Sequence, residues 1–325
     1  MLIALEVHRV DGLRTTALRA RKRCTPSMTV IICRWVTGKS LVSAPPSSVY
    51  LTTMIPLDTR LLFPLERQAL LELLWSLDSA DWAKPTVCPG WAVQDVTAHI
   101  LNDYLRRISG SRDRHNGAVF DDGETLPAYL ARVNGEFVRA MRQTSPHLLI
   151  DLLAHLGPQL DLVWAATDLT GPAHLHVSWA GPGASPAWLD IARDYTEFWV
   201  HQQQIRDAVS HAGADEVSLL RPVLVTFLHA LPVTLRDRIR PRGTAVQVDI
   251  TGPAGGRWTV VSDGSGWDLT DADADEPAAS VRMDQDTLWR LATRGITVDQ
   301  ARQRSELRGD RELTESATTL LAVVA

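Results

Sequence analysis

The sequence predicts an α-helical bundle followed by a small α+β domain, on three observations. Apolar residues recur at helical spacing through most of residues 57–211. Short alternating runs separated by glycine turns replace them near residue 245. At 325 residues the chain is also long for a single core. Hydrophobic residues make up 45% and charged residues 22%, which fits a globular protein and excludes a collagen-like, coiled-coil or wholly disordered chain.

Residues 1–53 stand apart, with a charge balance of +6 against −11 for the remainder, and they end in Ser43-Ala44-Pro45-Pro46-Ser47-Ser48. Their apolar patch at Thr29–Ile32 is cut short by Cys33 and Arg34, too early for the core of a signal peptide. The stretch 1–54 therefore reads as a disordered extension, or as sequence upstream of a true start at Met54. From Leu57, the positions Leu61, Leu65, Leu70, Leu73, Leu74 and Leu77 predict a helix with Glu66, Arg67 and Glu72 on its polar side. Pro85, Pro89 and Gly90 then make a rigid loop. Helices are expected at about 92–109, 126–143 and 147–167, and, after a Pro/Gly-rich segment at 171–186, at about 187–211. These complete a bundle over residues 55–214.

Residues 215–325 form the predicted α+β domain. A helix at 216–239 is ended by Pro241 and Gly243. Val246, Val248 and Ile250 alternate, as do Trp258 with Val260 and Trp267 with Leu269. A further strand at 280–283, a helix at 284–294 and a terminal helix at about 310–324 follow.

Several function classes lose ground at once. No run of about 18 apolar residues is present, so no transmembrane helix is expected. A net charge of −5 gives no whole-chain argument for nucleic acid or an anionic membrane. Three cysteines, Cys24, Cys33 and Cys88, make a poor disulfide framework and point to a reducing, cytoplasmic setting. No phosphate-cradling glycine motif and no Gly-x-Ser-x-Gly elbow occurs. The expected assembly is a monomer or homodimer.

One constellation could carry chemistry. Glu197 and His201 are four apart, one turn above each other on a helix, on the shoulder of an apolar stripe formed by Ile191, Phe198, Ile205 and Val209. A carboxylate and an imidazole at a core margin are costly unless paired or bound to metal. His99 lies on the bundle-facing side of an earlier helix. With Glu197 and His201 it makes a His₂Glu set with room for an exchangeable fourth ligand, as in a catalytic zinc site. Asp95, one turn before His99, could hold the second ring nitrogen, or simply favour the helix dipole.

The run Pro85-Thr86-Val87-Cys88-Pro89-Gly90-Trp91-Ala92-Val93-Gln94-Asp95-Val96-Thr97-Ala98-His99-Ile100 closely resembles the N-terminal metal-binding domain of the mycothiol-dependent maleylpyruvate isomerase family. Glu197-Phe198-Trp199-Val200-His201 is similar to that family's second motif. The resemblance covers roughly residues 58–213 and implies a DinB-like four-helix bundle with His99, Glu197 and His201 as metal ligands. It implies zinc or another divalent metal, and a mycothiol- or bacillithiol-like thiol as cosubstrate. The activity it implies is isomerisation of an electrophilic small molecule, or S-transfer to it. The alternative is a non-catalytic metal-binding bundle acting as a binding or regulatory module. Residues 216–325, with Arg308-Gly309-Asp310 before the last helix, resemble the sterol-carrier-protein-2-like domain that many members append. Two positions depart from the family's usual pattern: Ala92 where a Ser or Thr caps the helix, and Gln204 where an Asp follows the second His.

Other residues have blander readings. Cys88 has no basic neighbour in sequence and reads as a packed loop thiol. His174 and His176 are two apart without a third donor nearby, and read as loop polarity. Trp82, Trp91, Trp179, Trp188 and Trp199 read as packing. Arg193 could pair with Glu197 or meet an anionic substrate. Arg236, Arg238, Arg240 and Arg242 read as a solvated helix end.

Overall fold

The computed structural model describes residues 56–115 and 117–323. The expectations for residues 1–54, with Cys24 and Cys33, lie outside the described residues.

The helical part comprises α1 (Phe63–Ser76), α2 (Val93–Arg107), α3 (Leu126–Met141), α4 (Pro146–Ala165), α5 (Ala187–Val209), α6 (Val217–Leu228) and α7 (Leu231–Leu235). Local chemistry sets several starts. Pro64 sits in the first turn of α1, where its missing N–H has no partner to lose. Thr125 and Ser145 cap α3 and α4 by accepting from Ala128 and Leu148 N–H groups. Ala92 begins α2 without a side-chain cap, although the Asp95 carboxylate accepts the Ala92 N–H at 3.0 Å. One half of a capping box is thus present.

α5 is the central helix, packed against α1, α2 and α6. All of Ala187–Arg206 except Gln203 is buried. The sequence reading placed Glu197 and His201 at the margin of an apolar stripe; they lie instead deep in the core, because α5 is enclosed on every side. α1 shows the same effect. It starts at Phe63 rather than Leu57, leaves Leu61 and Leu65 exposed, and buries the supposedly solvent-facing Glu66 and Arg67. Gln202 of α5 donates to the Glu66 carboxylate at 2.7 Å, and Arg67 pairs with Asp161 of α4. The expected helix 216–239 is broken at His229 into α6 and α7. Two stretches, Pro146–Ala165 and Val217–Leu235, are long and apolar enough by length and composition to cross a membrane, contrary to the expectation of none. Both set buried faces against this core, as core helices do.

The second part holds β1 (Ala245–Thr251), β2 (Gly256–Ser262), β3 (Trp267–Thr270), β4 (Ala279–Asp284), α8 (Gln285–Ala292), α9 (Val298–Gln303), β5 (Glu306–Gly309) and α10 (Arg311–Ala317). The sheet order is β3-β2-β1-β4-β5, with β1 and β4 parallel and the other pairs antiparallel. Alternating Val246, Val248 and Ile250 point inward with Val260, Leu269 and Val281. Helices and sheet share one hydrophobic core. At the junction, the rings of Trp199 and Trp289 meet edge-on at 5.5 Å, and Arg290 pairs with Asp207 at 2.6 Å. The sequence reading missed α9 and β5. It also took the arginines after α7 for a solvated helix end, whereas Arg238 and Arg240 tie the chain to Glu312 and Asp310 at the start of α10.

Candidate metal centre

Pro89 and Gly90 occupy the middle of a tight turn closed by the Trp91 N–H on the Cys88 carbonyl at 3.0 Å. Gly90 has φ +76°, the left-handed value that such a turn demands of its third residue. Thr86 clamps the turn through its hydroxyl on the Trp91 carbonyl at 2.8 Å. The turn delivers Trp91 and Cys88 to the same place. Trp91 lies with its ring centroid 5.1 Å from that of His99, and the Cys88 thiol is buried 3.1 Å from the Gln204 carbonyl oxygen.

The structure brings His99 of α2 together with Glu197 and His201 of α5. Their donor atoms all lie within 4.8 Å of one another, and all three residues are buried. Glu197 Oε1 sits 3.2 Å from His99 Nε2 and 2.8 Å from His201 Nε2. The two imidazoles meet edge to face with centroids 4.7 Å apart. Burial alone pushes the Glu197 carboxyl up; the charge on His201 and hydrogen bonds from both rings more than reverse this, and hold it at about 2. Burial pushes His201 down, while Glu197 and a contact with the Cys88 thiol carry it up to about 10. Each group thus favours the charged form of the other across their 2.8 Å contact.

The donor set fits a divalent cation. Glu197 Oε2 and His99 Nδ1 are buried without a hydrogen-bond partner, and unpartnered buried polar atoms are uncommon. His201 Nδ1 donates to Gln204 Oε1 at 2.7 Å. That bond fixes the ring and turns Nε2 toward Glu197 and His99, as outer partners of metal-bound histidines do. Gln204 thus occupies, as a neutral amide, the position where the resemblance leads one to expect a carboxylate.

Several expected roles fall elsewhere. Asp95 does not reach His99; it holds the start of α2 and pairs with Arg142 at 2.8 Å. Besides Glu197, the carboxylate near His99 is Asp103, one turn later, with Oδ2 at 3.5 Å from Nε2. Burial, and the neighbouring Glu197 charge, push the Asp103 carboxyl up against the pull of His99. Its signal in the sequence was a His-x-x-x-Asp spacing that mirrors Glu-x-x-x-His. Arg193 engages Asp190 and Asp194, in a buried cluster with Arg107. His176 meets the Ser185 hydroxyl at 3.0 Å, and His174 is half-buried beside Gly110. Among the described residues, His99, Glu197 and His201 are the one group with metal-site geometry. Cys88 is packed, as expected, but its basic neighbour is His201, far away in sequence. Burial pushes the thiol up, and His201 more than offsets it to leave the thiol lowered.

Fold and donor set together define a class: a helical bundle with a candidate divalent-metal centre built between an early and a late helix. Residues 63–206 match the sequence model of the Mycothiol maleylpyruvate isomerase N-terminal domain. Among solved structures, the chain is similar to the mycothiol-dependent maleylpyruvate isomerase and to a histidine-to-alanine mutant of it. Both are 16% identical over 74% of this chain and 91% of theirs, with TM-scores of 0.46 and 0.45. A UbiJ-SCP2 ubiquinone synthesis protein is 21% identical over 32% of this chain and 90% of its own, with a TM-score of 0.23. No curated protein matches the sequence.

Proposed function

We propose that the chain is a cytoplasmic, mycothiol-dependent metalloenzyme that isomerises an electrophilic small molecule or transfers the thiol sulfur to it. The observation that carries this reading is the buried convergence of His99, Glu197 and His201 in a segment of the matching family. These three residues would hold the metal, with zinc the ion best suited to two imidazoles and one carboxylate. When bound, such a cation supplies a charge that favours the thiolate form of a low-molecular-weight thiol near neutral pH.

The chain's own residues do the rest. Gln204 holds His201 by its Nδ1–H, and Trp91 walls the His99 side of the centre. Both imidazoles and Glu197 are buried, and the Asp103 side chain, 14% exposed, is the more open carboxylate beside them. Thiolate addition to an activated double bond, rotation and elimination of the same thiolate gives isomerisation with no net change of atoms. Addition followed by protonation of the carbon gives an S-conjugate instead.

The test is metal content by mass spectrometry on untagged protein, beside a His99→Ala/His201→Ala variant. About one zinc per chain, absent from the variant, is expected. Absence of metal from wild-type protein after zinc addition and dialysis would sink the reading.

A further inference from the structure

His99, Asp103 and Arg106 are spaced i, i+4 and i+7 along α2 and share one face. Arg106 is half-buried, yet it forms no ion pair among the described residues. Its hydrogen bond is a long 3.5 Å contact to Asn134 Oδ1 of α3, an oxygen that already accepts from Asn102 at 2.9 Å. The other buried arginines of the bundle are better matched: Arg67 pairs with Asp161, Arg107 and Arg193 pair with Asp190 and Asp194, and Arg206 donates to Gln202 and to the carbonyls of Ala69 and Ala212. Asn134 is 1% exposed, and its Nδ2 has no partner. A half-buried guanidinium with one long, shared acceptor thus stands beside a buried amide donor with none, an arrangement that is costly unless a further acceptor is supplied. Asp103 acts on Arg106 through its charge but forms no direct ion pair with it, and its carboxylate lies against His99.

We propose that Arg106 and Asn134 form a carboxylate-binding subsite beside the metal centre, which holds the anionic group of a small-molecule ligand. A carboxylate has two oxygens and can accept from the guanidinium and from Asn134 Nδ2 together. The place of this subsite in a reaction rests on the function proposed above; anion binding itself does not.

The experiment is calorimetric titration of succinate, a dicarboxylate without an activated double bond, and of uncharged succinamide. Both are titrated into zinc-treated and metal-free protein. Wild-type protein should bind succinate and not succinamide. Arg106→Gln should weaken succinate binding about tenfold or more, as loss of a charge-assisted pair implies. Asn134→Asp, which supplies an internal carboxylate to Arg106, should abolish succinate binding while raising the melting temperature, so a misfolded variant cannot imitate the result. Equal binding of succinamide, unchanged affinity in Arg106→Gln, or no succinate binding by wild-type protein would overturn the proposal. Arg106-dependent succinate binding by a protein that takes up no zinc would support the subsite and sink the metal reading, so the two failures are separable.

Discussion

Glu66 shows how strongly burial acts on one residue. Desolvation pushes its carboxyl up to about 7 from 4.5, against the Gln202 hydrogen bond and the charges of Arg67 and Arg206. The folded state therefore keeps its proton at pH values where the unfolded chain has lost it. Stability is retained below about pH 4.5 and falls as pH rises through about 7. Glu66→Gln should match wild-type protein near pH 4 and exceed it at pH 8 by about 3 kcal/mol in urea unfolding; an unchanged pH slope would count against the assignment. At Ala92, φ −86° and ψ 175° already suit a cap. Ala92→Ser should add about 1 kcal/mol by giving the first-turn N–H groups of α2 a hydroxyl acceptor, and a loss of stability would contradict that geometry. Gln204 acts through His201. Gln204→Ala should weaken zinc binding by about 10–100-fold in chelator competition without unfolding the protein, and an unchanged affinity would remove its positioning role.

At the scale of elements, α1 and α4 are held close by one glycine. A Cβ at Gly157 would overlap the Arg67 side chain where it crosses α4 to reach Asp161. Alanine in an exposed helix interior normally gains about 1 kcal/mol over glycine. Here Gly157→Ala should instead destabilise by about 1–3 kcal/mol, because Arg67 is buried and fixed by its pair. Thermal unfolding gives the sign directly, and a stabilised variant would show that Arg67 has room to move. The turn at Cys88–Trp91 is the other decisive element, since it joins a local sequence rule to the wall of the metal centre.

Across the whole molecule, the helices and the sheet depend on one core. Trp289 of α8 is 4% exposed and packs on Trp199, two residues from Glu197. Trp289→Ala should cost about 3–5 kcal/mol and lower the helical and near-ultraviolet transitions together. A variant in which only the sheet region melts early would show that the two parts unfold independently.

The sequence by itself determined the helical bundle, the α+β segment that follows it, and the candidate residues His99, Glu197 and His201. Those follow from periodicity and local spacing, which the chain carries wherever it folds. Only the tertiary structure decided that Glu66, Arg67 and Arg193 are buried and paired, that Asp103 rather than Asp95 stands beside His99, and that Cys88 and Gln204 meet at His201. The short α9 and β5 were illegible for a related reason, since β5 is a mostly exposed edge strand with little apolar alternation to mark it. Periodicity assigns a helix one apolar face and one polar face, but α5 has neighbours on every side. Its polar residues are therefore placed by which partners from distant segments reach them, and that information is not local to any window of the chain.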